Sequence, residues 1–395
     1  MDLLVIDKVK QAQAILKELN LDAWLIFVRE TSAMKDPALT LVYGEHDLTW
    51  PSVLLITARK GSYAILGRYE AVTAQNLGAY DKVIAYDQDI KESLQEVLLS
   101  IQPQNIAVNI SEDDVLADGL SHGMYLTLHK LLEGINFQDR ITSSINLISA
   151  LRGRKTKTEV ERVKNAILEA QIILNKTIDF AQPGMSESQI AHYTQDLVLQ
   201  NKLDFAWTPS NCPIVNAGPG ADVGHNAPST RILQRGQILH FDFGVKKDLY
   251  CSDIQRDVYF LAEKESEAPT PVIEAFKIVR KAIQNAFEVI KPGMMGVDVD
   301  AVARKTILDA GYKEYMHATG HQVGRIAHDG GCLLGPAWPR YGKTPFLKIE
   351  EGQIFTLELG INLEEYGYLG LEEDILITQS GAEYLSDPQV ELIIK

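Results

Sequence analysis

The sequence predicts an α/β domain followed by a second, internally repeated α+β domain, and three observations carry that prediction. Short apolar runs alternate with helical patterns from Met1 to about Ala150, a cationic stretch then interrupts them, and the remainder runs twice through the same succession of helix, helix and hairpin. At 395 residues the chain exceeds what one hydrophobic core supports, and an apolar fraction of 46% is ample for two.

In the first 150 residues the runs AWLIFV (Ala23 to Val28), SVLLIT (Ser52 to Thr57), SYAIL (Ser62 to Leu66) and NIAVNI (Asn105 to Ile110) have the length and composition of strands, and helical patterns separate them. The opening segment MDLLVIDKVKQAQAILKELN places acids early and lacks a long apolar core, so it reads as an amphipathic helix and not a signal peptide. The segment Leu151 to Val163 concentrates five positive charges and offers Thr158 and Glu161 as a capping box before a long helix, which sets the expected boundary between domains 1–150 and 151–395.

The second domain repeats itself. A long helix followed by AQPGMSESQIAHYTQDLVLQ (Ala181 to Gln200) is echoed by a helix followed by IKPGMMGVDVDAVARKTILDAG (Ile290 to Gly311). Each helix pair is followed by a hairpin pattern that opens on Gly-Gln-Ile, at Gly236 and at Gly352. Two copies of one unit imply a pseudo-twofold domain whose site lies where the halves meet.

The formal net charge of -15 is spread along the chain, and no basic cluster interleaves with aromatics, which excludes nucleic acid and anionic membranes as expected partners. No apolar run approaches the ~20 residues that span a bilayer. Cys212, Cys251 and Cys332 are too few and scattered for a disulfide framework or a thiolate zinc site, so a reducing, cytoplasmic setting is expected.

Chemistry concentrates in the hairpins. A turn about Lys247 and Asp248 would put Asp242 across from Asp253, and a turn centred on Glu365 would put Glu358 across from Glu372. Opposed residues lie ~4.5–5.5 Å apart at Cβ, where like charges repel. The pairs sit in apolar strands, ILHFDFG (Ile238 to Gly244) and IFTLELG (Ile354 to Gly360), where unpaired charge is costly. Two divalent cations would offset four carboxylates, and Asp, Glu and His donors without thiolate suit manganese, cobalt, iron or zinc. The structural alternative is a buried ion-pair network with Arg256 or Arg325.

His321, in the glycine-flanked turn ATGHQVG, can approach such a metal. His225 and His328 lie in comparable loops and could donate to a substrate carbonyl or simply brace the loops; His240 and His317 fit packing as well as function. No Gly-x-Ser-x-Gly elbow is present, and Cys251 has no activating arrangement, so a covalent nucleophile is not expected.

With these residues assembled, the chain resembles the pita-bread metallopeptidases, the family of Xaa-Pro aminopeptidase, prolidase and methionine aminopeptidase. The ordered set Asp, Asp, His, Glu, Glu matches DFGVKKDLYCSD, TGHQVG, LELG and LEEDILIT, and the first 150 residues resemble a creatinase/prolidase-type N-terminal domain. The resemblance implies a homodimeric, peptide-cleaving enzyme with two divalent ions per chain, Mn2+ foremost and Co2+ or Zn2+ as alternatives. It implies that Asp253 and Glu372 bridge the metals, that Asp242 binds one and His321 and Glu358 the other, and that Glu358 also shuttles a proton. His225 and His328 would hold substrate and stabilise the oxyanion. Three departures leave those ligands in place: Gln322 after the ligand histidine, Asp329 after His328, and Leu359 after Glu358. A fourth bears on specificity, because the arginine that prolyl-specific members place two residues before the last ligand is Gly370. The expected activity is therefore removal of N-terminal residues as an Xaa-Pro aminopeptidase or dipeptidase, with a broader aminopeptidase as the alternative. A metal-free creatinase-like hydrolase and a non-catalytic peptide-binding scaffold are disfavoured by retention of all five residues.

Overall fold

The computed structural model describes residues 1–221, 224 and 226–395, and the chain divides into two compact units, Met1–Arg152 and Gly153–Lys395.

Unit 1 is a three-layer α/β structure. Its strands are β1 (Ala23–Val28), β2 (Ser52–Thr57), β3 (Ser62–Gly67), β4 (Lys82–Tyr86), β5 (Ile106–Val108) and β6 (Ile141–Ser143), joined in one sheet in the order β4-β3-β2-β1-β5-β6. The central strand β1 is buried on both faces, which explains its unbroken apolar run. Trp24, Ile26 and Val28 enter one core, while Ala23, Leu25 and Phe27 enter the other, the alternation a pleated strand requires. Helix α1 (Leu3–Glu18) forms where the sequence places it, capped by the Asp2 carboxylate accepting from the backbone N–H of Leu4 and Val5. Helices α2 (Leu39–Tyr43), α3 (Arg68–Leu77), α4 (Lys91–Ile101), α5 (His122–Leu131) and α6 (Ile145–Gly153) complete the unit.

Unit 2 opens with α7 (Lys157–Phe180) and α8 (Glu187–Gln200). The capping box of α7 is Thr156 with Glu159, two residues earlier than the Thr158 and Glu161 expected from sequence. The reason is burial: Glu159 is 2% exposed, and its carboxylate accepts from both the Thr156 N–H and the Tyr250 hydroxyl. Glu161 instead faces solvent beside Lys164.

The internal repeat is visible bond for bond. After α7, Gly184 N–H donates to Leu233 O and Leu233 N–H donates to Met185 O; after α9 (Thr270–Val289), Gly293 N–H donates to Ile349 O and Ile349 N–H donates to Met294 O. Gly184 and Gly293 have φ of 96° and 92°, a left-handed turn that glycine makes at no steric cost, and α8 and α10 (Gly296–Asp309) follow.

A small three-stranded sheet joins β7 (Asp204–Phe205) to β10 (Val245–Lys247) and β11 (Tyr250–Cys251). The main sheet is built from β8 (Ile214–Ala217), β9 (Gln237–Phe243), β12 (Ile254–Phe260), β13 (Ile354–Leu363) and β14 (Gly367–Ile377) in the order β13-β14-β12-β9-β8, with β15 (Ala382–Tyr384) on β14 and β16 (Ile393–Ile394) on β12. One face is apolar: Leu239, Phe241 and Phe243 join the core of α7 and α8, whereas Leu357, Leu359, Leu369 and Leu371 join that of α9 and α10. Alternation then assigns the intervening polar residues to the opposite face, where the two halves meet. Among the described residues, no helix is long and apolar enough to cross a membrane.

Candidate metal centre

One row of residues crosses four strands of the main sheet. Asp242 on β9 stands opposite Gln255 on β12, Gln255 opposite Glu372 on β14, and Glu372 opposite Glu358 on β13. The second pairing is the one expected from sequence. The first is not: Asp242 faces Gln255 and not Asp253. The hairpin turns on Asp248 and Leu249, both left-handed with φ of 49° and 73°, so opposed residue numbers sum to 497 instead of 495. Left-handed geometry at both central residues is the type I′ turn of a two-residue hairpin loop. Asp253 therefore lies two residues before Gln255 and reaches the same carboxylate cluster from beyond the row.

His321 completes the cluster. Its segment is laced to β13, with Thr356 N–H donating to His321 O at 2.8 Å, Glu358 N–H to Thr319 O at 2.7 Å, and His321 N–H to the Thr356 hydroxyl at 3.2 Å. Gly320 is required there, since a Cβ would fall on the Thr356 carbonyl. So held, His321 Nε2 lies 3.7 Å from Asp253, 3.8 Å from Glu358 and 3.9 Å from Glu372. Asp253, His321 and Glu372 each offer a donor atom within 4.8 Å of the others.

The electrostatics show what the cluster lacks. Asp253 and Glu372 are 5% and 1% exposed, and Asp253 Oδ1 and Glu372 Oε2 accept no hydrogen bond from a described residue. Burial first, then neighbouring carboxylates, holds Asp253 and Glu372 well above the usual carboxylate range; burial and Asp242 push Glu358 up to about 8. Arg256, a candidate for a structural ion pair, directs its guanidinium to Glu373 at 3.0 Å and to the carbonyl of Glu372. Clustered buried carboxylates with orphaned oxygens beside an imidazole fit a divalent-cation site.

Two cavities flank the cluster, of about 740 and 630 Å3, and both are lined by Asp242, Glu358, Ile214 and His317. The smaller also contains Asp253, Glu372, His321 and His328, the last packed edge-on against His321 with ring centroids 4.3 Å apart. His225 lies outside the described residues. Sequence reasoning passed over three groups and left His317 open between packing and function. Gln255 donates to Glu358 at 3.1 Å; the Tyr315 hydroxyl is 3.5 Å from the same carboxylate; Tyr368 lines the larger cavity and His317 lines both. Period-two spacing from Asp253 and Glu372 was enough to place Gln255 and Tyr368 on the site face, whereas Tyr315 and His317 arrive through the tertiary fold alone. His240, open between packing and function from sequence, is buried, bonds Asp257 at 2.9 Å, and lines the larger cavity.

Residues 161–379, which hold every group of this cluster, match the model of metallopeptidase family M24. The chain belongs to metallopeptidase family M24. An Xaa-Pro dipeptidase of Pyrococcus furiosus is 30% identical over 249 residues, 63% of this chain and 67% of that protein. Among solved structures, an Xaa-Pro dipeptidase from Bacillus anthracis superposes with a TM-score of 0.74 at 23% identity, covering 99% of this chain and all of that one. An X-Pro aminopeptidase from Thermotoga maritima MSB8 gives 0.73 at 24% identity over 96% and 99%. These likenesses establish the architecture of this M24 metallopeptidase, an N-terminal α/β domain and a pita-bread catalytic domain, and family membership makes it a peptide hydrolase.

Proposed function

We propose that this M24 member is a dinuclear metal-dependent exopeptidase that hydrolyses the N-terminal peptide bond of Xaa-Pro substrates, as an aminopeptidase or dipeptidase. The observation that carries the proposal is the placement of His321 Nε2 within 3.7–3.9 Å of three carboxylates, the buried Asp253 and Glu372 and the partly buried Glu358. Asp253 and Glu372, whose orphaned oxygens supply extra donors, would bridge two ions; Asp242 would hold one, and His321 with Glu358 the other. Asp, Glu and His donors without thiolate favour Mn2+, with Co2+ or Zn2+ able to substitute. When bound, such ions polarise the scissile carbonyl and provide a nucleophile from water at neutral pH.

The chain's own residues have distinct tasks. Glu358 accepts from Gln255 and Tyr315 at one oxygen, which orients the carboxyl and leaves the other oxygen to take up and return a proton. His328, which lines the smaller cavity edge-on to His321, is assigned donation to the oxyanion, and His225 is assigned the same task from its sequence. Gly370 supplies no guanidinium to clamp a carboxylate or carbonyl beside the proline, so the preference for Xaa-Pro over Xaa-Ala is weaker than in arginine-bearing relatives.

The test is metal content by elemental analysis after reconstitution with Mn2+ and desalting, alongside kcat/KM for matched Xaa-Pro and Xaa-Ala peptides. About two ions per chain, with Xaa-Pro cleaved, are expected. Full activity without bound metal would overturn the mechanism, and Xaa-Ala cleaved far better at every length would make the enzyme a broader aminopeptidase. The homodimer implied by the family resemblance belongs to the same proposal, and light scattering on the full chain decides it.

A further inference from the structure

The space left by Gly370 is filled. Gly370 and Gly360 face each other across β13 and β14, and the ring of Tyr368, two residues back on the same face of β14, lies over both. A Cβ at position 370 would stand 2.6 Å from Tyr368 Cε1 and 3.0 Å from Gln255 Oε1; a Cβ at position 360 would fall on the Tyr368 hydroxyl. The ring is fixed from two sides. His240, itself bonded to the fully buried Asp257 at 2.9 Å, packs edge-on against it with centroids 4.8 Å apart, and the Tyr315 hydroxyl, itself 3.5 Å from Glu358, lies near that of Tyr368.

The charge of the surroundings matches. Among the described residues lining the two cavities, two acids that are not proposed metal ligands, Glu314 and Glu364, face the larger, and its one lysine, Lys313, is 96% exposed and paired with Glu364 at 3.7 Å. The smaller cavity is lined by neither lysine nor arginine among those residues. A dipeptide cleaved at this centre carries its own carboxylate one residue beyond the scissile bond, and burying that charge without a cation is unfavourable.

We propose that Tyr368 is a specificity-determining residue: with Gln255 and Tyr315 it builds an uncharged wall where a cationic clamp would project, and the site takes peptides that continue, or are amidated, beyond the scissile bond in preference to free dipeptide acids. The inference rests on the peptidase reading above and adds the substrate class.

The experiment compares kcat/KM for Xaa-Pro dipeptide acids, their amides and two-residue extensions, using the full chain supplied with Mn2+. Calorimetric titration of the same acids and amides onto the metal-free protein gives a readout independent of turnover. Amides and extensions are expected to exceed acids by about tenfold or more, the size of one charged hydrogen bond. Tyr368→Phe keeps the wall and should keep the ratio within about threefold. Gly370→Arg alone meets the tyrosine ring and should lower Tm, whereas Gly370→Arg with Tyr368→Ala admits the guanidinium and should move the ratio toward acids by about tenfold. Acids cleaved and bound as well as amides by the wild type, or a ratio unmoved in the double variant, overturns the proposal while leaving the peptidase intact. Failure to cleave any peptide with metal bound overturns the peptidase instead, and the calorimetric ratio then still decides the wall.

Discussion

At the scale of single residues, the site separates groups that would hold metal from groups that would meet substrate. Asp253→Ala and Glu372→Ala each remove a proposed bridge, and both should lose bound metal and activity together. His328→Ala leaves all five proposed ligands in place; it should retain metal and lower kcat by about 10²- to 10³-fold, the usual effect of deleting one oxyanion donor. Elemental analysis beside steady-state kinetics reads the contrast, and an empty site in His328→Ala with a full one in Asp253→Ala would reverse the assignment. The carboxylates were legible in the sequence because charge in apolar strands is anomalous, and the anomaly needs no knowledge of register. The groups around Glu358 were less so: strand spacing puts Gln255 and Tyr368 on the site face, but they and Tyr315 are ordinary residues by type, and only the fold brings Gln255 and Tyr315 onto one carboxylate oxygen.

At the scale of elements, strands were easier to read than the turns that set their register. The second hairpin pairs as expected, Glu358 against Glu372, whereas the first slips because Leu249 takes a left-handed conformation that its side chain disfavours. Composition favours Asn, Asp or Gly at such positions, so Asp248 marked the turn, whereas nothing about Leu249 pointed to its second position. The start of α7 teaches the same lesson. Two threonines precede two glutamates at the right spacing, and burial of Glu159 selects the earlier pair. Thr156→Ala should therefore destabilise the protein by about 1 kcal/mol, the usual worth of an N-cap, while exposed Thr158→Ala should change it by less than about 0.5 kcal/mol. Denaturant melts of the two variants check this, and equal effects would mean that the Thr156 box contributes nothing.

At the scale of the whole molecule, gathering like charges onto the buried face of one sheet opposes folding, and metal and pH should be coupled through it. In the metal-free protein Glu358 is raised from 4.5 to about 8, and Asp253 and Glu372 are raised as well, chiefly by burial. The sign follows from which state binds the proton. Between pH 4.5 and about 8 the folded protein holds a proton on Glu358 that the unfolded chain has released, so stability falls as pH rises through this window. Divalent ions reverse the trend, because they bind the deprotonated carboxylates and stabilise only the folded site. Tm measured without metal should drop from pH 5 to pH 8, and each kcal/mol lost corresponds to about 2–4 °C for a unit of this size. With saturating Mn2+ the drop should shrink or vanish, so that the metal-induced increase in Tm grows with pH. Glu358→Gln removes one of these titrating carboxyls and should make the metal-free profile shallower while weakening metal binding. Scanning calorimetry at matched ionic strength makes the comparison, and a metal-induced increase that is constant across pH would show that protons and metal do not compete for this cluster.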